Sequence, residues 1–119
     1  MIGHKAYQCL NKEETFHVFN VSRSSKLTKD SILIDILDFE KLESVVREIK
    51  PDIIVNCIGI LIAESSKNIE LARKINQEFP HKLKNLCDQV NTKVIHMSTD
   101  CVFSGKMSTP YIETDKKDG

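Results

Sequence analysis

The sequence is poor in residues of several kinds, and each scarcity narrows what the protein can be. Basic and acidic residues balance at 17 each, so the chain has no basic excess that would predict a nucleic-acid partner. The longest largely apolar stretch, residues 58–63, is far shorter than the roughly 20 residues that span a bilayer, so no membrane partner is expected. No signal peptide precedes the first amphipathic stretch, which favours a cytoplasmic location.

The cysteines do not have the spacing of a metal or redox motif. Their separations are 48, 30 and 14 residues, so no C-x-x-C pair is present, and the four histidines are equally scattered. We therefore expect no metal site and reduced, mostly buried thiols in a cytoplasmic protein. A reactive thiol at Cys101 is the alternative. The four residues are Cys9, Cys57, Cys87 and Cys101.

Apolar periodicity predicts strands that alternate with helices within one domain. Asp38 can cap the middle helix, Pro51 ends it, and Pro80 should kink the last helix. Such alternation is typical of a parallel sheet in a doubly wound, Rossmann-like α/β fold. In chain order the predicted elements are helix 1–10, strands 16–21 and 32–34, a helix after Asp38, strand 52–57, helix 66–90 and strand 93–97.

A pair of hydroxyl side chains follows the last predicted strand. The segment 93–97 is apolar enough to form a buried strand, and it leads directly into Ser98 and Thr99. Open α/β folds bind their ligands at the carboxyl edge of the sheet, so this strand would deliver both hydroxyls to a ligand site. The alternative is that Ser98, Thr99 and Asp100 only form a turn.

The same segment carries a family resemblance. The run S-T-D-C-V-F-S-G at 98–105, followed by P-Y-I-E-T-D at 110–115, resembles the extended short-chain dehydrogenase/reductases. Within them it is most similar to the nucleotide-sugar reductases of the dTDP-4-dehydrorhamnose reductase kind. The resemblance implies NADPH-dependent reduction of a 4-keto nucleotide-sugar for surface polysaccharide, with Thr99 as a catalytic residue that orients the substrate carbonyl. The residues that it implies for the nucleotide-sugar are Ser98, Asp100, Val102 and Phe103.

The resemblance also implies a set of NADP-binding residues, each with a plain structural alternative. Arg23 follows a strand and would pair with the 2′-phosphate, or it is a solvated loop arginine. Asp35 would lie beside the adenine, or it turns the chain before a helix. Asn76 would support the site by a hydrogen bond, or it lies on a polar helix face. The full set is Gly3, Arg23, Asp35, Ile36, Cys57, Ile58, Gly59, Asn76 and Met97.

The two ends of the chain also bear on this resemblance. Gly3 resembles the last glycine of the family's glycine-rich turn, and no Y-x-x-x-K pair is present. We therefore expect residues 1–119 to be a partial NAD(P)-binding Rossmann domain, without the first strand, the C-terminal half and the substrate domain. Such a fragment should be inactive alone, and its parent can be a homo-oligomer. The absent strand would belong in the middle of the sheet and leave two unpaired inner edges.

Two other functions stay open at this point. The chain can be a non-catalytic Rossmann module that binds NADP or a sugar nucleotide and regulates a partner. It can also be a truncated gene product without function.

Overall fold

The structure is a computed structural model that describes residues 2–118, apart from the side chains of Ile62 and Asp100. Met1, which begins the predicted helix 1–10, and Gly119 lie outside the described residues. The elements follow the alternating order that the sequence predicts. The helices are α1 (Ile2–Leu10), α2 (Phe39–Ile49), α3 (Ile62–Ser65), α4 (Ile69–Arg73) and α5 (Phe79–Gln89). The strands are β1 (Val21–Ser22), β2 (Ile32–Leu33), β3 (Ile53–Asn56) and β4 (Lys93–His96).

Helix α2 begins and ends where the sequence predicts. The carboxylate of Asp38 accepts a hydrogen bond from the backbone N–H of Lys41, which is the expected cap, and Glu40 lies in the first turn. Lys50 adopts a left-handed conformation with φ of 49°, and Pro51 follows it. None of the helices among the described residues is long and apolar enough to cross a membrane.

The predicted helix 66–90 is interrupted, as Pro80 led us to expect. A π-helical turn, Lys74–Glu78, separates α4 from α5, and Pro80 lies in the first turn of α5. Pro80 has no N–H to donate to the carbonyl four residues before it, that of Asn76. In the wider turn the N–H of Phe79 donates to the carbonyl of Lys74, five residues before it.

The predicted strand 16–21 is wrong for most of its length. Val21 and Ser22 pair with Ile32 and Leu33, and this is the whole ladder between β1 and β2. Residues 16–20 belong to no strand, although the carbonyl of Asn20 accepts from the N–H of Ile32, so their β-rich composition alone does not make a strand. Phe16 remains 53% exposed for the same reason.

The sheet consists of two separate parallel pairs. β1 pairs with β2, and β3 pairs with β4 in a register that runs from Ile53↔Lys93 to Asn56↔His96. Within residues 2–118 no strand joins the two pairs, so β1 and β3 each have an unpaired edge. The expectation of an incomplete doubly wound sheet, divided where a central strand would belong, is confirmed.

One hydrophobic cluster lies beneath both strand pairs. Side chains from β2, β3 and β4, namely Ile32, Ile54 and Val94, pack against it from one face of the sheet. On the other face Ile53 is 48% and Ile95 is 50% exposed, so that face of the sheet is only partly covered. The buried members of the cluster are Ile34, Leu42, Val46, Phe79, Leu83, Leu86 and Cys87.

The partly covered face and the unpaired edges of the sheet give the chain a large solvent-accessible surface area. The chain exposes 9362 Å², whereas a compact monomer of 13.6 kDa exposes about 6,600 Å². Its radius of gyration is 16.0 Å, against about 13.5 Å for a compact domain of this length. The chain therefore has a real core but leaves much of its sheet open.

Hydrogen exchange should report the open edge of β3. Asp52 and Asn56 accept from β4, and successive residues of a parallel strand bond to opposite sides, so Ile53 and Val55 direct their N–H groups away from β4. We expect the amides of Ile53 and Val55 to exchange markedly faster than that of Ile54. Amide exchange followed by NMR measures this difference. Equal protection along β3 would contradict the open edge.

Candidate functional site

Strand β3 ends at a buried asparagine that forms hydrogen bonds in three directions. Asn56 is only 3% exposed. Its backbone carbonyl accepts from the N–H of Met97 at 3.0 Å. Its side-chain Oδ1 accepts from the N–H of Ile58 at 3.0 Å, and its Nδ2 lies 3.0 Å from Nδ1 of His96. One residue therefore connects the turn after β3 with the end of β4.

The turn after β3 lies against the start of α1. A Cβ placed on Gly3 would be 3.3 Å from the Cβ of Cys57, which is tighter than most real contacts, so glycine permits this close approach. Gly59 differs, because it lacks a positive φ and a Cβ there would meet Oδ1 of Asn76 at an ordinary 3.6 Å. Ile58, which lies between Cys57 and Gly59, is 38% exposed. The structure thus brings Gly3 to the predicted cofactor-binding turn.

Asn76 holds the far end of the same turn. Its Oδ1 accepts from the N–H of Ile60 at 2.8 Å, and its Nδ2 donates to the carbonyl of Ile60 at 2.9 Å. The side chain projects from the π-helical turn, so the helix break and this two-point contact occur at one residue. Asn76 therefore supports the site by hydrogen bonds to backbone, and its direct contact with a cofactor stays a prediction.

The hydroxyl segment follows β4 as a short turn. Met97 is 41% exposed, Ser98 and Thr99 are exposed, and a single 3₁₀ turn spans Asp100–Val102. Oγ1 of Thr99 accepts from the backbone N–H of Cys101 at 3.2 Å. This is the turn that the alternative interpretation predicts. The side chain of Asp100 lies outside the described part of the structure.

The loop after this turn is held by an aromatic stack. Phe103 stacks on Tyr111 with ring centroids 4.5 Å apart and planes inclined by 17°, while Val102 is half-buried. The backbone N–H and the hydroxyl of Ser104 both donate to the carboxylate of Asp118, and these bonds lower the pKa of Asp118. Tyr111 therefore covers part of the Phe103 ring, which limits the ring surface that a ligand can contact.

The ends of β1 and β2 carry the remaining predicted cofactor residues. Arg23 is exposed, forms no ion pair with any other described residue, and sits in a turn closed by the hydroxyl of Ser22 on the carbonyl of Ser25. Asp35 accepts from the N–H of Leu37 at 3.0 Å, so it does turn the chain before α2. Ile36 packs against the core and lines a surface cavity of about 420 Å³.

The cysteines form no disulfide with one another, and all four lie within the described residues. Cys87 is fully buried, and burial raises the pKa of its thiol, so it is a packing residue. Cys9 and Cys101 are exposed, however, and Cys57 is half-buried, so the expectation of mostly buried thiols is wrong. Among residues 2–118 no three histidine, cysteine or acidic side chains are grouped as metal ligands.

The structure also reveals two site residues that the sequence reasoning missed. Asn56 and His96 end neighbouring strands and meet side by side, although they are 40 residues apart. The available signal was that each is a polar residue at the end of an otherwise apolar strand. Arg23 and Asp35, by contrast, belong to the other strand pair.

Comparison with known sequences gives a consistent family. Residues 2–118 match the family described as RmlD substrate binding domain. The chain is 38% identical over 82 residues to the dTDP-4-dehydrorhamnose reductase of Escherichia coli, which is 66% of this chain and 27% of the relative. It is 32% identical over 84 residues to a probable low-salt glycan biosynthesis reductase of Haloferax volcanii, 70% of this chain and 28% of the relative.

A solved structure agrees with this similarity. The hypothetical dTDP-4-dehydrorhamnose reductase of Sulfolobus tokodaii superposes with a TM-score of 0.83 at 27% identity, over 98% of this chain and 41% of that chain. The chain thus spans about a quarter of the length of these curated relatives and two fifths of the solved one.

Removal of the Asn76 side chain tests its two-point contact. Asn76→Ala should lower the free energy of unfolding by about 1 kcal/mol, because two hydrogen bonds at an exposed site are lost. Asn76→Asp keeps the acceptor and loses the donor, so its free energy of unfolding should lie between those of the unaltered chain and Asn76→Ala. Urea unfolding followed by circular dichroism measures both. Gln77→Ala, exposed in the same helical turn, is the matched control and should change stability by less than about 0.5 kcal/mol.

Proposed function

The chain belongs to the RmlD substrate binding domain family, and on this premise we propose that it is part of an NADPH-dependent reductase of 4-keto nucleotide-sugars. Its relatives include named dTDP-4-dehydrorhamnose reductases and a probable glycan biosynthesis reductase, which supports a role in the synthesis of surface polysaccharide. The proposed location is the cytoplasm, where sugar nucleotides would be available. The whole enzyme can be a homo-oligomer.

One observation carries the proposal. The turn Cys57–Gly59 and the hydroxyl segment Ser98–Thr99 follow adjacent parallel strands, whose ends Asn56 ties together. In open α/β folds the carboxyl ends of neighbouring strands form the ligand crevice. A cofactor on the β3 side and a carbonyl substrate on the β4 side would therefore be neighbours.

The residues present fit an NADP cofactor. Gly3 allows the start of α1 to pack closely on Cys57, and a helix N-terminus offers unpaired N–H groups that suit a pyrophosphate. Arg23 forms no ion pair with a described carboxylate, so its guanidinium suits a 2′-phosphate. Asp35 and Ile36 would flank the adenine, and Ile58, Gly59 and Met97 would lie toward the nicotinamide.

The chemistry divides between the cofactor and this chain. When bound, the cofactor supplies a hydride to the carbonyl carbon of the sugar. Thr99 would donate a hydrogen bond to the keto oxygen and so orient the carbonyl, and the tyrosine of a Y-x-x-x-K pair would supply the proton that completes the alcohol. Ser98, Asp100, Val102 and Phe103 would contact the sugar nucleotide. Tyr7 and Tyr111 are not followed by a lysine at the fourth position, so we propose that the chain alone does not turn over substrate.

A second candidate is a non-catalytic module that binds NADP or a sugar nucleotide, since the crevice of an open α/β fold can hold either ligand without reaction. A length-restored enzyme separates the two, namely one in which this chain replaces the matching segment of the Escherichia coli relative. Reduction of a 4-keto nucleotide-sugar by this protein supports the reductase. NADPH binding without reduction supports the module.

Arg23 should set the preference for NADPH over NADH. A charge-assisted bond to the 2′-phosphate contributes about 1.5–3 kcal/mol, so Arg23→Ala in the length-restored enzyme should weaken NADPH binding about ten- to a hundred-fold and leave NADH binding nearly unchanged. Cofactor titration by fluorescence measures both. Lys26→Ala, a cation in the same loop, is the control. An unaltered NADPH/NADH ratio in the Arg23 variant rules out this role.

Thr99 should act mainly on turnover. Its hydroxyl would bond the keto oxygen most strongly as charge develops there, so Thr99→Val should lower kcat about 10²–10³-fold with a smaller change in KM. Thr99→Ser keeps the hydroxyl and should retain most activity. Steady-state reduction by the length-restored enzyme measures both variants. Near-normal kcat in Thr99→Val, with NADPH binding intact, would reduce Thr99 to a turn residue.

A further inference from the structure

The orientation of the Asn56 amide is fixed by its neighbours. The backbone N–H of Ile58 can only donate, so the atom that faces it must be Oδ1. The other end of the amide is then Nδ2, which can only donate, and it lies 3.0 Å from Nδ1 of His96. Asn56 is buried, so its amide is shielded from competing water on its own side of both bonds.

This orientation determines the state of the imidazole. Because Nδ2 of Asn56 donates, Nδ1 of His96 must accept and therefore carries no hydrogen. The ring is then neutral, with its hydrogen on Nε2. His96 is exposed and lies two residues before Ser98. The described hydrogen bond of its ring is the one to the buried Asn56.

Asn56 and His96 also form the last aligned pair of the β3–β4 ladder. After this pair the chain diverges into the Cys57–Gly59 turn on one side and the Ser98–Thr99 segment on the other. Ile60 at the far end of the first turn is held separately by Asn76. The side-chain bond and the backbone bond from the N–H of Met97 to the carbonyl of Asn56 are thus the last described links between the two segments.

We propose that Asn56 and His96 form a cross-strand clamp of two positioning residues, which fixes the cofactor-side turn against the hydroxyl segment that holds Thr99. The clamp acts through Thr99 and the turn, and its effect on catalysis rests on the function proposed above. The hydrogen-bonded state of His96 does not depend on that function.

Nitrogen NMR of the histidine rings tests the clamp in the chain as it stands. At neutral to slightly alkaline pH, His96 should show a single Nε2–H tautomer, while the three other histidines serve as internal references. Asn56→Asp replaces the donor by an acceptor, so Nδ1 of His96 should become protonated. Asn11→Asp, an exposed asparagine in a turn, is the matched control and should leave His96 unchanged. Averaged tautomers for His96 in the unaltered chain, from whatever cause, overturn the clamp.

Kinetics of the length-restored enzyme test the positioning. His96→Leu removes the acceptor and should lower kcat about ten- to a hundred-fold, since a small misplacement of a reacting group has effects up to about 10²-fold, with KM little changed. His96→Asn presents an oxygen at the same distance from Cβ as Nδ1 and should restore most of the kcat. Equal turnover in all three proteins overturns positioning. An inactive unaltered enzyme with a single His96 tautomer refutes the proposed function and with it any positioning role, but leaves the hydrogen bond standing.

Discussion

The pairing of β3 with β4 is the constraint on which the rest of this structure depends. It is a four-residue ladder, whereas β1 and β2 share only two pairs. Ile54 and Val94 anchor it to the core, beneath which α5 packs with Leu83 and Cys87. Both segments of the candidate site leave the ends of this ladder. Their relative position is therefore fixed by backbone hydrogen bonds and by apolar packing at the same time.

Neutral amides, rather than charges, order the candidate site. Asn56 and Asn76 hold the two ends of one turn, and their partners are backbone groups and an imidazole. The ion pairs of the described residues lie on exposed helix surfaces, where such pairs contribute little. The pKa shifts occur elsewhere as well, at Cys87 in the core and at exposed carboxylates. Amides do not titrate, so the bonds from Asn56 and Asn76 to backbone groups do not depend on pH.

The open sheet explains why a real core coexists with an extended surface. One face carries the buried cluster, while Ile53, Val55 and Ile95 on the other are at least a third exposed. The inner edges of β1 and β3 add unpaired backbone groups, which are sites of association in any sheet. The solved relative superposes on nearly all of this chain but continues well beyond the shared part.

Local patterns were sufficient for much of the fold. Periodicity predicted α1, α2, β3 and β4, and Asp38, Pro51 and Pro80 act where their chemistry requires. Each of these features depends on residues within a few positions of one another. The prediction of a strand at 16–21 was wrong because a strand depends on a distant partner, and β2 pairs only with Val21 and Ser22.

The sequence by itself determined the doubly wound class, the break at Pro80 and the segment that carries Ser98 and Thr99. The tertiary structure decided which polar groups meet. Asn56 and His96 come together across 40 residues of chain because a register, not a motif, aligns them. The π-helical turn likewise has a local and a distant relation. It directly precedes the first turn of the helix that contains Pro80, and it carries Asn76, which binds the distant residue Ile60. Hydrogen bonds between distant segments form only once packing has brought their strands side by side, and no local pattern encodes that encounter.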